Sequence, residues 1–196
     1  MLIGLTGYAG TGKDTVADWL CANKQFVKLR FADTLKMVVA TLFDWPQSSL
    51  EDRTFKEHVD SRWGISPRQA MQWLGTEGLR EGMPNTYQDM FNTVGRNFWV
   101  KRFLADAQTF TGYDIVVPDC RFQNEVDAIR DQGGIVYQVI RDSHEPQGEV
   151  HASERINQLQ GVASYIDNNG SIDDLYHNLS VIFTERRIFN ETSSQQ

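Results

Sequence analysis

The chain has 196 residues, of which 40% are hydrophobic, and this length suits one sizeable core better than two. Its formal net charge of −7 argues against extended binding to a nucleic acid polymer, which usually requires a concentrated basic face. The two cysteines, Cys21 and Cys120, belong to no paired metal-ligand or redox motif, so neither a disulfide framework nor a zinc site is expected. With no secretory signal and no apolar run of membrane length, the sequence predicts a cytoplasmic protein without a membrane partner.

Strands and helices alternate along the chain. Residues 2–6 form an apolar run typical of a buried strand, and residues 15–23 carry apolar side chains at helical spacing. The same criteria predict strands at 26–31, 113–117, 135–140 and 165–167, and helices at 34–43, 67–80, 97–110, 121–131 and 171–184. Because this alternation requires helical crossovers, we predict a three-layer α/β fold, with a mainly parallel sheet of about five strands and helices on both faces.

A glycine-rich loop joins the first strand to the first helix. Residues 7–15 read GYAGTGKDT and have the spacing G-x-x-x-x-G-K of a phosphate-binding loop. Glycines let backbone amides turn towards phosphate oxygens, the helix start adds unpaired N–H groups, and Lys13 would neutralise charge on the β- and γ-phosphates. An ordinary βα turn is disfavoured by the position of this lysine, and a dinucleotide fingerprint by Thr15 in place of a third glycine. The predicted ATP-binding residues are Gly7, Gly10, Thr11, Gly12, Lys13, Asp14 and Thr15.

The residue after the loop lysine departs from the usual pattern. Asp14 stands where Ser or Thr is expected, and the hydroxyl arrives one position later, at Thr15. Thr15 is therefore a candidate ligand of a phosphate or of magnesium. Two roles are open for Asp14: it acts on magnesium-bound water or on the acceptor, or its charge stabilises the helix start.

A second group of candidate residues follows the strand predicted at 113–117. Asp119 comes where a parallel sheet presents an acid to magnesium or to the reacting groups, so we predict a catalytic carboxylate and magnesium ligand. The alternative is that Asp119 caps the next helix. Arg121 is predicted to bind a phosphate through two nitrogens, and the alternative is an ion pair with Glu125.

Phosphoryl transfer needs several cations around adjacent phosphates, and four more basic residues lie near the predicted ends of elements. They are Lys36, Arg68, Lys101 and Arg141. Each one alone is more often a solvated surface charge. Together they indicate an anionic acceptor, with Arg141 contributing from a lid.

Two tryptophans and two histidines are further candidates for the site. Trp73 and Trp99 lie at helical spacing, which favours core packing over contact with an acceptor base. His144 and His151 lack the spacing of metal ligands and fall in the predicted lid.

Several blocks of the sequence resemble the T-even type deoxynucleoside monophosphate kinases of bacteriophages, a branch of the P-loop kinases. The segment GTGKDT at 10–15 resembles their G-K-D-T variant, and RQAMQWLGTE at 68–77 is similar to R-x-x-M-Q-x-L-G-T-[DE]. The segments WVK at 99–101 and VPDCR at 117–121 match two further blocks. The resemblance implies a P-loop fold and transfer of a phosphoryl group from ATP, with Mg²⁺, to a deoxynucleoside monophosphate. The acceptor-binding residues that it implies are Lys36, Arg68, Gly75, Thr76, Trp99, Lys101, Arg121 and Glu154.

The length predicts one domain, residues 1–196, with an acceptor-binding helical region at about 44–110 and a lid at about 141–155. Residues 166–171, IDNNGS, look like the last strand and helix of dephospho-coenzyme A kinases, so another small-molecule kinase is one alternative. A module that binds ATP without turnover is the other alternative. The expected partners are ATP and the deoxynucleotide, in the host cytoplasm if the protein is viral, and a homodimer is left open.

Overall fold

A computed structural model describes residues 1–91, 94–144 and 156–192. The chain divides into two compact units. Met1–Leu29 with Gly112–Gln196 is called the sheet unit here, and Arg30–Thr111 is called the helical unit. The predicted acceptor-binding region lies inside the helical unit, and the assignment of the whole chain to one domain stays a prediction.

The observed elements follow the predicted alternation. The strands are β1 Leu2–Thr6, β2 Val27–Lys28, β3 Ile115–Val117, β4 Ile135–Ile140 and β5 Ser164–Asp167. The α-helices are α1 Lys13–Lys24, α2 Asp33–Phe43, α3 Arg53–Glu57, α4 Pro67–Gln72, α5 Met83–Thr86, α6 Gln88–Phe91, α7 Phe98–Gln108, α8 Gln123–Asp131 and α9 Ile172–Thr192. A π-helix spans Trp73–Gly82, and short 3₁₀ segments lie at Gln47–Glu51, Gly95–Asn97, Asp142–His144 and Ile156–Gln158. Among the helices that the structure describes, none is both long and apolar enough to cross a membrane.

The sheet has the order β2-β3-β1-β4-β5, and its strand pairs are parallel, which confirms the predicted fold class. The crossover from β1 to β2 moves along the sheet in one direction. The crossover from β3 to β4 passes over β1 in the opposite direction. Since such crossovers are right-handed, α1 and α8 are expected on opposite faces of the sheet. The carboxyl ends of β1 and β3 therefore flank the crevice where an open parallel sheet binds its ligand.

Packing on the two faces agrees with this topology. On one face, Ile3 and Leu5 of β1 pack in one cluster with α1 and α9, in which Leu20 and Leu179 are fully buried. On the other face, a Cβ at Gly4 would stand 2.9 Å from Cys120 Sγ and 3.2 Å from Ile129 Cδ1 of α8. Glycine at position 4 thus lets α8 and the segment after β3 approach the central strand.

The predicted helix at 67–80 is where local structure differs most from expectation. It is α-helical to Gln72 and then widens into the π-helix. The buried positions advance by five residues, through Ala70, Gly75 and Arg80. Trp73 falls off this line and is 52% exposed, so the expectation of core packing was wrong for Trp73.

The helical unit has its own apolar cluster, which includes Val39, Trp45, Leu50 and Ala70. Phe43 stacks on Trp45 with ring centroids 4.7 Å apart, and Trp63 meets Phe43 edge-on at 5.5 Å. The cluster is extended at its edge by a polar network. The carboxylate of Asp60 accepts hydrogen bonds from Trp45 Nε1 at 2.7 Å and from Arg62 Nη2 at 2.8 Å.

We predict that Asp60→Asn destabilises the fold at neutral pH and that this effect shrinks as the pH falls below about 4. Hydrogen bonds from the Arg62 guanidinium and the Trp45 indole hold the pKa of the Asp60 carboxyl well below its usual range. A depressed pKa stabilises the folded state fully above the unfolded-state value of about 3.9. This contribution declines as the pH falls below that value and is lost only as the pH falls through the lowered folded-state pKa. Thermal unfolding of both proteins from pH 7 down to about pH 2 measures the decline.

The matched control is Asp106→Asn, which removes an exposed carboxylate paired with Arg102 on α7 of the same unit. Exposed pairs one helical turn apart contribute little. A difference in Tm between wild type and Asp60→Asn that stays constant across the pH range would contradict the prediction.

Candidate active site

The phosphate-binding loop begins directly after β1, at the crevice. Gly7, Gly10 and Gly12 have φ angles of 139°, 83° and 99°, which side chains other than glycine rarely adopt. A Cβ at Gly7 would stand 2.5 Å from the backbone oxygen of Val139, in the neighbouring strand β4. The loop therefore needs glycine for its positive φ angles and, at Gly7, also because there is no room for a side chain.

Lys13 lies across this loop. Its Nζ donates hydrogen bonds to the backbone oxygens of Gly7 and Tyr8, each at 2.7 Å. The hydroxyl of Thr11 also donates to the Tyr8 oxygen, at 2.9 Å. These contacts hold the ammonium group at the loop, directly before the start of α1. Such an arrangement suits a phosphate.

Asp14 and Thr15 lie in the first turn of α1, where Asp14 is exposed and Thr15 is half-buried. Gly12 is the N-cap and provides no side-chain cap. A carboxylate in the first turn stabilises the helix start, and an exposed one is also accessible to a nucleotide-bound cation. Both roles of Asp14 stay open.

Helix α8 begins later than predicted, and Glu125 is the reason. Its buried carboxylate, 3% exposed, accepts hydrogen bonds through Oε2 from the N–H groups of Arg121 at 2.8 Å and Phe122 at 3.2 Å. Phe122, rather than Asp119, is therefore the residue that precedes the helix. Glu125 was predicted as a possible ion-pair partner of Arg121, and its capping role was missed, although a glutamate three residues after an N-cap is a known capping pattern.

The buried thiol of Cys120 shows that opposite charges gather at this end of the sheet. Burial raises the pKa of Cys120 well above its usual range, Glu125 and Asp119 raise it further, and Lys13 acts in the opposite direction. Asp119 after β3 and Lys13 after β1 thus both act electrostatically on the same buried group.

Two side chains that the sequence analysis did not assign to the loop also contact it. Asn168, which follows β5, donates from Nδ2 to the backbone oxygen of Thr11 at 2.8 Å. The ring of His144 leaves no room for a Cβ at Gly10. Half-buried Arg141 follows β4, whereas Glu154 and most of the predicted lid lie outside the described residues.

In the helical unit, two of the predicted acceptor cations hold ion pairs. Lys36 Nζ lies 2.7 Å from Glu51 Oε1, and Arg68 Nε lies 2.6 Å from Glu57 Oε1. Burial raises the pKa of Glu51, but the hydrogen bond and the charge of Lys36 outweigh this and lower the pKa overall. Lys101 is exposed on α7.

Gly75 and Trp99, two of the predicted acceptor-binding residues, contact each other. Trp99 is 4% exposed, which confirms the expectation of core packing, and its Nε1 donates to the Gly75 oxygen at 2.8 Å. On the other side, a Cβ at Gly75 would stand 2.6 Å from Leu35 Cδ2. Half-buried Thr76 follows in the π-helix, so its backbone is fixed by these neighbours.

A cleft of about 490 Å³ lies beside the same stretch, in the size range of small-molecule sites. Its lining combines aromatic rings with amide and carboxylate groups: Phe43, Ile65, Gln69, Gln72, Trp73 and Glu77. None of these six residues was predicted as a site residue. Exposed Trp73, which the period of an ordinary α-helix placed in the core, is one wall of this cleft.

Comparison with known proteins shows which family the chain belongs to. A family model described as deoxynucleotide monophosphate kinase matches residues 47–179, which is more than half of the chain. The chain belongs to the deoxynucleotide monophosphate kinase family. The match begins after the phosphate-binding loop and Lys36, and it includes the helical block at 68–77 and the segment after β3.

Relatives of this deoxynucleotide monophosphate kinase family member extend the match. A protein of Acanthamoeba polyphaga mimivirus named "Putative deoxynucleotide monophosphate kinase" is 31% identical over 185 residues, which cover 90% of this chain and 92% of that protein. The deoxynucleotide monophosphate kinase of Enterobacteria phage T4 is 30% identical over 122 residues, which cover 61% of this chain and 45% of the phage protein. The chain therefore matches less than half of the phage T4 kinase.

Among solved structures, the shikimate kinase from Bacteroides thetaiotaomicron is 12% identical and covers 93% of this chain and 96% of its own, with a TM-score of 0.46. At that score the likeness supports no conclusion about this kinase family member. Its fold class rests on its own parallel sheet and loop.

Proposed function

We propose that the protein transfers the γ-phosphoryl group of ATP to a deoxynucleoside monophosphate and releases a deoxynucleoside diphosphate and ADP. The observation that carries this proposal is the loop at 7–15, which lies at the crevice of a parallel sheet in a chain of this kinase family. Lys13 within that loop is placed to neutralise charge on the transferring phosphate.

The roles that we propose for the other residues follow from what phosphoryl transfer requires. A loose transition state spreads negative charge over the phosphate oxygens, so cations and positioning matter more than a strong base. Arg68, Lys101 and Arg121 are proposed to bind the acceptor phosphate. The ion pair of Arg68 with Glu57 keeps its guanidinium oriented before the acceptor arrives, and Glu125 fixes the backbone of Arg121.

Mg²⁺ fits the residues present. Among the described residues, no group of three His, Cys, Asp or Glu side chains is arranged to hold a metal by itself. Mg²⁺ commonly binds through one or two protein oxygens together with substrate phosphates and waters. Asp119 and Thr15 would supply such oxygens, and the ion would neutralise charge on the β- and γ-phosphates. The homodimer, the host cytoplasm and the lack of a nucleic acid partner stay predictions.

The proposal is tested by measuring ADP formation from ATP with dGMP, dTMP, dCMP, dAMP and dephospho-coenzyme A as acceptors. We expect turnover with one or more deoxynucleotides and expect Arg68→Gln to raise the KM of the acceptor about tenfold or more, because a charge-assisted phosphate contact is lost. The KM of ATP should change little, since Arg68 is assigned to the acceptor.

Arg96→Gln is the matched control, because Arg96 also lies in the helical unit and also holds an ion pair, with Glu81 at 2.8 Å. Turnover with dephospho-coenzyme A alone would place the protein among other small-molecule kinases. Tight ATP binding without transfer to any acceptor would support a binding module instead.

A further inference from the structure

We propose that Asn168 is a positioning residue that fixes the peptide between Thr11 and Gly12 and so directs the N–H of Gly12 towards the phosphates of the nucleotide. The inference rests on the proposed function only in that residues 7–15 bind a nucleotide. It does not depend on which acceptor is phosphorylated.

The contact joins residues far apart in sequence, and Asn168 is held through both its side chain and its backbone. Asn168 is 6% exposed, and its Nδ2 donates to the Thr11 oxygen at 2.8 Å, across 157 positions of sequence. The backbone N–H of Asn168 donates to the Ile140 oxygen at 2.9 Å, which anchors the residue to the end of β4. Its side chain therefore approaches the loop from a fixed point of the sheet.

The direction of one peptide group follows from this bond. A trans peptide is planar, so the C=O of Thr11 and the N–H of Gly12 point in opposite directions. With the carbonyl drawn towards Asn168, the N–H of Gly12 points away from Asn168. Backbone N–H groups directed inwards are the donors that such loops offer to phosphate oxygens.

Without this bond, the peptide has an alternative orientation. A flip rotates ψ of Thr11 and φ of Gly12, and glycine permits both signs of φ. The observed φ of Gly12 is 99°, and a Cβ there would overlap with Asn168 Nδ2, so position 12 cannot be stiffened by another residue. The side chain of Asn168 thus supplies the restraint that the backbone lacks.

Replacement by aspartate probes the donor with little change in volume. Asn168→Asp puts an oxygen against the Thr11 oxygen, which repels the carbonyl and favours the flipped peptide. Asn168→Ala removes the donor without this repulsion and leaves the carbonyl of Thr11, a residue 1% exposed, without its partner.

The experiment is calorimetric titration of the full chain with ATP and, separately, with inorganic tripolyphosphate, without an acceptor. For Asn168→Asp we expect the Kd of both ligands to rise about tenfold or more, with a smaller rise for Asn168→Ala. In the transfer assay, the KM of ATP should rise while the KM of the acceptor stays unchanged. A purely structural role would not separate these two constants.

Asn23→Asp is the matched control, because Asn23 Nδ2 also donates to a backbone oxygen, that of Trp19 at 2.9 Å, on exposed helix surface. We expect its Kd values to stay within about twofold of wild type. Wild-type affinity in Asn168→Asp, or equal losses in Asn168→Asp and Asn23→Asp, would overturn the inference. A wild-type protein that binds neither ligand would overturn it together with the proposed function. If wild type binds both ligands but transfers nothing, the proposed function fails, and the variant Kd values still decide this inference.

Discussion

Lys13→Ala is expected to lower kcat/KM for phosphoryl transfer about 1000-fold, because it removes a positioned cation from the site where negative charge develops. The Lys13 ammonium group is already held in the loop by the oxygens of Gly7 and Tyr8, so it needs little rearrangement to reach a phosphate. Steady-state kinetics with ATP and the preferred deoxynucleotide measure the loss. Circular dichroism should show an unchanged fold.

Lys24→Ala is the control, since Lys24 ends the same helix and its Nζ lies 5.9 Å from the ring centroid of Trp19, away from the loop. Its kcat/KM is expected to remain within about twofold of wild type, because it contributes only a weak cation–π contact. Lys13→Arg should restore little activity, since a planar guanidinium does not replace a compact ammonium group. Activity in Lys13→Ala near that of wild type would remove the loop lysine from the mechanism.

Gly7→Ala is expected to weaken ATP binding about 100-fold, because overpacking against a rigid neighbour costs up to about 3 kcal/mol. The new Cβ would stand 2.5 Å from the backbone oxygen of Val139, and the residue would keep a φ of 139°. Neither β4 nor the loop can give way without displacing the other. Titration with ATP and thermal unfolding together measure the effect.

Gly133→Ala separates backbone strain from steric overlap. Gly133 also has a positive φ, 73°, but a Cβ there would meet nothing within 4 Å. We expect this control to lose about 1 to 2 kcal/mol of stability from left-handed backbone strain and to bind ATP normally. If both variants bound ATP equally well, the close approach of Gly7 to β4 would have no role in binding.

The parts of the fold that sequence predicted are those with local signals. The loop was found because its glycines and Lys13 lie within nine residues between an apolar run and an amphipathic one. Strand β4 was predicted with its observed bounds, Ile135–Ile140, because a glycine pair precedes an apolar run there. The class of sheet was predicted, but the order of its strands was not. Right-handed crossovers limit the topology without fixing which strands are neighbours.

What sequence did not predict depends on contacts between distant residues or on an unusual helix. Trp73 was assigned to the core because an α-helical period was assumed. In the π-helix the buried residues recur every five positions, and Trp73 is not one of them. Asn168 was noted only within residues 166–171, which resemble dephospho-coenzyme A kinases, because nothing near it in sequence shows that its amide reaches Thr11. The capping role of Glu125 did have a local sequence signal. It was missed because its partners are backbone N–H groups, which a search for pairs of charged side chains does not detect.

The buried thiol beside the crevice has a practical use. Cys120 is fully covered beneath α8, and its raised pKa keeps it protonated, so a thiol reagent cannot attack it in the closed structure. Its rate of modification therefore measures how often this region opens, rather than how reactive the thiol is. In a variant without Cys21, the modification rate of Cys120 would report local opening of the sheet unit, and bound nucleotide is expected to lower that rate by stabilising the folded state.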